Sequence, residues 1–157
     1  MILVVTEKKM VAQAIAKAMG AIHVQRLCYT GNGYCIVWTG GHLLTLAQPE
    51  DYLSEYKTWR LDHLPLIPSI FRYNINEKLR SNYDIISKKI GSDEIDSIIC
   101  ATDSSREGEM IFRLLYHQLH TSKPVKRLWL QSLQPESIQE GFKNLYDPHK
   151  FDNLYQS

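Results

Sequence analysis

Apolar residues run unbroken from Met1 into Thr6 (MILVVT), the pattern of a strand covered on both faces inside a parallel sheet. Val11, Ala14, Ile15, Ala18 and Met19 then recur at helical spacing, and Gly20 ends the stripe. Two β-rich runs, 24–30 and 34–39, flank Gly31-Asn32-Gly33 and predict a hairpin. Residues 47–69 hold prolines at 49, 65 and 68 and predict a long ordered loop pinned by Tyr52, Tyr56 and Trp59. Phe71–Ile75 is a short candidate strand, and Leu79, Tyr83, Ile86 and Ile90 mark a second helix closed by Gly91. Asp96–Thr102 is a second buried strand, followed by a turn over residues 104–109 and a helix carrying Ile111, Leu114, Leu115 and Leu119. Val125–Leu130 predicts a third apolar strand. A fourth helix starts at Pro135 with Ile138 and Phe142 inward, Asp147-Pro148 breaks it, and 151–157 opens another helical pattern.

Strands alternating with helices imply βαβ units, an α/β fold with a mostly parallel central sheet flanked by helices, and a β-hairpin inserted in it. In such sheets ligands sit beyond the carboxyl ends of the strands. The expected organisation is one domain over 1–146, with 147–157 beginning a further helical segment.

Composition narrows the class. With 157 residues, 44% hydrophobic and 22% charged, the chain can build its own core. No apolar run reaches the length of a membrane span. Met1 leads straight into Ile-Leu-Val-Val without a basic leader region, so the expected compartment is the cytoplasm. Lys plus Arg number 18 against 17 Asp plus Glu, so any nucleic-acid contact has to come from a local patch, a bound cation or other parts of a longer protein. Cys28, Cys35 and Cys100 show no C-x-x-C spacing and read as buried structural thiols.

The candidate chemistry lies at two strand ends. Asp103, Glu107 and Glu109 fall within seven residues after the second buried strand, and Glu7 follows the first. A hard divalent cation such as Mg2+ takes a few carboxylate oxygens and keeps several waters. The other reading makes Glu107 and Glu109 first-turn acids complementing a helix dipole. Lys8 is either a point charge for a phosphate or a solvated lysine. Arg106 is either a phosphate clamp or a partner for its acidic neighbours.

These residues resemble the TOPRIM domain at the N-terminus of type IA DNA topoisomerases, and within that family the bacterial topoisomerase III branch. The resemblance rests on V-V-T-Glu7-Lys8, Gly41-His42-Leu43-Leu44, Pro49-Glu50-x-Tyr52, Tyr56-x-x-Trp59, Leu64-Pro65, Ala101-Thr102-Asp103-x-Ser105-Arg106-Glu107-Gly108-Glu109 and Leu128-Trp129-Leu130-x-Ser132-Leu133-x-Pro135. The Asp103-x-x-Arg106-Glu107-Gly108-Glu109 element and the order of the whole set are the specific part. The resemblance implies a TOPRIM (Rossmann-like) fold and an enzyme that cuts one DNA strand, passes another through the gap and reseals it without ATP. It implies that Glu7 lies at the scissile phosphate with a part in metal binding and proton transfer. By the same resemblance Lys8 contacts that phosphate, while Asp103 and Glu107 complete a Mg2+ site. Trp59 and Arg106 fall beside the bound single-stranded DNA, although Trp59 reads equally well as a packed aromatic.

Two departures matter. The family motif is D-x-D-x-E, and Ser105 stands at its second aspartate, leaving a neutral hydroxyl as the remaining metal-facing candidate. Lys9-Met10 stands where Pro-Ser is usual. The nucleophile of the family is a tyrosine with Arg two residues on, and none of the nine tyrosines here has one. The expectation is therefore a metal-binding half of a composite site, working with the remaining domains of the same polypeptide. Other readings stay open: a TOPRIM primase or nuclease, a phospho-acceptor module (disfavoured by Lys8 after Glu7), and a non-catalytic binding module. His117 and His120 lack a third ligand at zinc spacing.

Overall fold

The computed structural model describes residues 1–58 and 60–156. Trp59, and with it the expected role beside DNA, lies outside the described residues. The chain opens with β1 (Ile2–Thr6), α1 (Lys9–Met19), β2 (His23–Gln25), β3 (Cys28–Gly31) and β4 (Tyr34–Trp38). β5 (Leu44–Leu46), α2 (Pro49–Tyr52), β6 (Tyr73–Ile75) and α3 (Arg80–Ile90) follow, with two short 3-10 turns between α2 and β6. β7 (Ser97–Ala101), α4 (Arg106–Gln118), β8 (Val125–Arg127), α5 (Pro135–Lys143) and α6 (Asp152–Gln156) complete it.

The main sheet has the order β2-β3-β4-β1-β7-β8. β4, β1, β7 and β8 run parallel, while β2-β3 and β3-β4 pair antiparallel. β1 lies in the middle and its side chains divide the core. Leu3 and Val5 join Val37, Ile98 and the inner faces of α3 and α4 (Ile86, Ile90, Phe112, Leu115). Val4 joins Ile36, Ile99 and the inner faces of α1 and α5 (Ala12, Ile15, Ile138) on the other side. This two-sided burial explains why the strand reads as unbroken apolar sequence. The helix after β1 therefore lies on one face and the helix after β7 on the other, so the crevice between these neighbouring strand ends is a topological switch point.

Four details differ from the sequence expectation. The run 24–30 is two strands turning at Arg26-Leu27, with Leu27 at φ 59°. That turn carries no Gly or Asn to announce it, and the hairpins extend one edge of the sheet rather than interrupting it. β5 and β6 form a separate two-stranded sheet. α4 begins at Arg106, so Arg106 to Glu109 are its first turn rather than a loop. β8 stops at Arg127, whose backbone is bonded to Tyr146 in both directions at 2.9 Å. Among the described residues no helix is long and apolar enough to cross a membrane.

Candidate functional site

β1 ends at Thr6, which is fully buried and donates its hydroxyl to the Val37 carbonyl at 3.1 Å. The Glu7 carbonyl accepts from the Gly40 N–H at 2.8 Å. This ties the ends of β1 and β4 together and leaves the Glu7 side chain partly covered at the crevice. Gly41 turns the chain at φ 134°, a conformation that side chains rarely adopt, and delivers His42 to the same edge.

β7 brings up Asp103, and the chain reverses sharply. The Asp103 carbonyl accepts from the Ser105 N–H at 2.8 Å. Ser105 is extended (φ −150°, ψ 165°) and caps α4, its Oγ accepting from the Gly108 N–H at 3.1 Å. Its hydroxyl is thus engaged with its own helix. The Ser104 hydroxyl anchors the turn to both the carbonyl and the N–H of Leu130, at 2.9 and 3.1 Å. Gly108 is dictated by space: a Cβ there would lie 2.2 Å from the Asp103 carbonyl oxygen.

The structure brings four of the expected residues to this edge and adds one. Lys8 Nζ reaches Asp103 Oδ2 at 2.5 Å, and His42 Nε2 reaches Glu107 Oε1 at 2.7 Å. Burial raises the Glu7 carboxyl above its ordinary value, and the nearby charges of Asp103 and Glu107 push it the same way, against opposing pulls from Lys8 and His42. The ammonium of Lys8 is in turn raised by its hydrogen bond to Asp103. Arg106 is exposed at the helix start and, among the described residues, has no partner among its acidic neighbours.

Among the described residues no three His, Cys, Asp or Glu side chains are already gathered as a metal cage. The reason is visible in the pairs: Asp103 is turned to Lys8 and Glu107 to His42. The donors still suit a hard cation. They are carboxylates at an open edge, and Mg2+ needs only one or two of them together with its waters.

Two residues of the acidic element behave differently from their neighbours. Glu109 is 1% exposed and faces away from the edge, bonded to Arg113 at 2.8 Å and to Arg127 at 3.0 Å. It serves the interior. His42 was legible only as part of the Gly41-His42 motif, and Arg127 only as a charged residue within an apolar strand.

Residues 2–133 match the Toprim domain family, and the chain belongs to that family. It is similar to proteins named DNA topoisomerase 3. The one from Staphylococcus saprophyticus is 37% identical over 155 residues, covering 99% of this chain and 22% of the relative. The one from Staphylococcus haemolyticus is 40% identical over 156 residues, with the same two shares. The one from Shouchella clausii is 36% identical over 152 residues, covering 97% of this chain and 21% of the relative. The chain thus spans about a fifth of the length of these relatives. The full-length topoisomerase I of Thermotoga maritima has a similar fold, with a TM-score of 0.59 at 19% identity over 92% of this chain and 21% of that one.

Proposed function

We propose that this chain is the Toprim part of a type IA DNA topoisomerase of the topoisomerase 3 kind. It supplies the acidic half of a site for ATP-independent cleavage, passage and religation of single-stranded DNA, a task of the cytoplasm. Residues 1–146 form the domain, and 147–157 lead toward the remaining domains of the polypeptide. The observation that carries this reading is that Glu7-Lys8 at the end of β1 and Asp103 after β7 share one sheet edge, joined by the Lys8–Asp103 ion pair at 2.5 Å, with Glu107 at the start of α4 beside them.

The raised, half-covered Glu7 is suited to hold a proton and return it at the leaving or attacking oxygen. Lys8 offers a point charge to the scissile phosphate once it lets go of Asp103. Glu7, Asp103 and Glu107 would hold Mg2+, with Ser105 at the rim; bound there, the ion supplies charge stabilisation to a phosphate and orients it. Arg106 at the exposed helix start would meet a neighbouring phosphate. In this reading the nucleophilic tyrosine is supplied from elsewhere in the polypeptide.

The test is a chimera in which this chain replaces the matching residues of the Staphylococcus haemolyticus relative. It is assayed for relaxation of negatively supercoiled plasmid without ATP. The expected result is Mg2+-dependent relaxation that Glu7→Gln abolishes. A folded chimera that binds DNA but never relaxes it would contradict the proposal.

A further inference from the structure

We propose that Arg127, with Glu109 as its counter-charge, is a positioning residue for Asp103: its guanidinium holds the backbone that aims the aspartate at the metal edge. The proposal rests on the acidic-site reading above and adds a part of the molecule that does not touch that edge.

The argument begins where strand pairing stops. β7 is paired with β1 as far as Ala101 and with β8 as far as Cys100. The carbonyls of Thr102 and Asp103 lie beyond both ladders; that of Thr102 is left to find a donor, and that of Asp103 has the Ser105 N–H and one further lone pair. Arg127 serves both. Its side chain is fully buried, and Nη1 donates to the carbonyls of Thr102 and Leu128 at 2.9 Å and of Cys100 at 3.1 Å. Nη2 donates to the Asp103 carbonyl at 2.9 Å, and Nε to Glu109 at 3.0 Å. The planar fork thus carries the hydrogen-bonding of β7 two residues past its last paired position.

The fork is itself fixed from three sides. Glu109 neutralises it and also binds Arg113, which reaches Asp152 at 2.7 Å and the Pro148 carbonyl at 3.0 Å. The guanidinium lies over the rings of Trp129 and Phe151, 5.0 and 5.9 Å from their centroids. Those rings stack on each other at 4.7 Å. The same helix turn that presents Glu107 outward therefore presents Glu109 inward to hold Arg127.

A buried ion pair is seldom needed for stability, because well-packed apolar residues of similar volume replace it at little cost. What an apolar pair cannot supply is the donor for the Thr102 carbonyl and the second donor, besides the Ser105 N–H, for that of Asp103. Stability and placement therefore separate in a double variant, Arg127→Met with Glu109→Leu, which removes both charges together. A second variant, Arg127→Lys, keeps the charge facing Glu109 but replaces the fork with a single ammonium that cannot reach all four carbonyls.

The experiment uses the whole chain. Thermal melting reports folding, amide hydrogen exchange without metal reports the turn at residues 104–109, and NMR titration with MgCl2 reports the edge. In whichever variants melt cooperatively, the expectation is faster exchange at 104–109 by about tenfold or more, with unaltered exchange in the distant β3–β4 hairpin. The Mg2+ midpoint should rise by about tenfold as well. Unchanged exchange at 104–109 in a folded variant overturns the proposal, as does an unchanged Mg2+ midpoint where the original chain binds. If the original chain binds no Mg2+ while the variants still loosen the turn, the positioning role stands and the metal reading fails. If neither variant folds, Arg127 is an ordinary core residue and the proposal is overturned.

Discussion

Glu107 and Glu109 are two residues apart on α4 and point in opposite directions. Glu107 meets His42 at 2.7 Å on the open edge, and Glu109 is enclosed between Arg113 and Arg127. Two residues along a helix turn the side chain by about 200°, so one short motif serves the site with one acid and the core with the other.

That division predicts unequal costs. Glu109→Ala leaves the fully buried Arg127 without its counter-charge, while Arg113 keeps Asp152, and should destabilise the fold by about 3–5 kcal/mol. Glu107→Ala, at a side chain 64% exposed, should change stability by less than about 1 kcal/mol. Urea unfolding of both variants is the check. Equal costs would mean that the two carboxylates are not sorted as described.

Gly108→Ala should be destabilising although alanine is the better helix former. Intrinsic propensity favours Ala by about 1 kcal/mol, but its Cβ would lie 2.2 Å from the Asp103 carbonyl oxygen and 2.9 Å from its nitrogen. Backbone has to move, at a net cost of about 2 kcal/mol or more. The melting temperature of the variant decides it; an increase would show that α4 does not pack this closely on the turn.

The thiols give a prediction in pH. Cys28, Cys35 and Cys100 are almost wholly buried, and burial pushes the Cys35 thiol up to about 11 from an ordinary 9.0. In the folded chain it stays protonated where the unfolded chain has lost its proton. The stability it contributes is complete below pH 9 and is lost as pH rises through about 11. At pH 8 the three thiols should react with Ellman's reagent only as fast as the chain unfolds. Rapid labelling of any of them in the folded state would contradict this burial.

Much of the fold was legible because β1 and β7 are covered on both faces and so read as unbroken apolar runs. Gly20 and Gly91 marked the helix ends they close. The Arg26-Leu27 turn was not legible, since a leucine at positive φ has no turn signature. The pairing of β5 with β6 joins residues about 30 apart, and short strands carry little periodicity. At the candidate site, Glu7, Asp103 and Glu107 stood out in the sequence as acids after two buried strands, and the family resemblance singled them out. The inward turn of Glu109 was not, because first-turn acids on a helix look alike until tertiary packing chooses between them.

Binding of single-stranded DNA by this chain alone should be weak and should have a shallow salt dependence. At the edge Lys8 and Arg106 are the cations in position, while Arg60 is held by Asp62 at 2.9 and 3.0 Å. Few phosphate contacts mean a small slope of log K against log salt. Fluorescence anisotropy across a salt series measures it. Tight binding that persists at high salt would place the DNA surface elsewhere on the chain.

The most direct test of the account is a Mg2+ titration followed by NMR on the original chain and on Asp103→Asn, Lys8→Met and Ser105→Asp. Saturable shifts confined to residues 7, 42 and 103–107 are predicted for the original chain. Asp103→Asn should weaken them by about tenfold or more, because it removes a carboxylate from a site that needs charge. Lys8→Met should strengthen binding by freeing Asp103 from its ion pair. Ser105→Asp should also strengthen it while still capping α4. Shifts of equal midpoint in the original chain and Asp103→Asn would contradict the claim that these acids form one cation site.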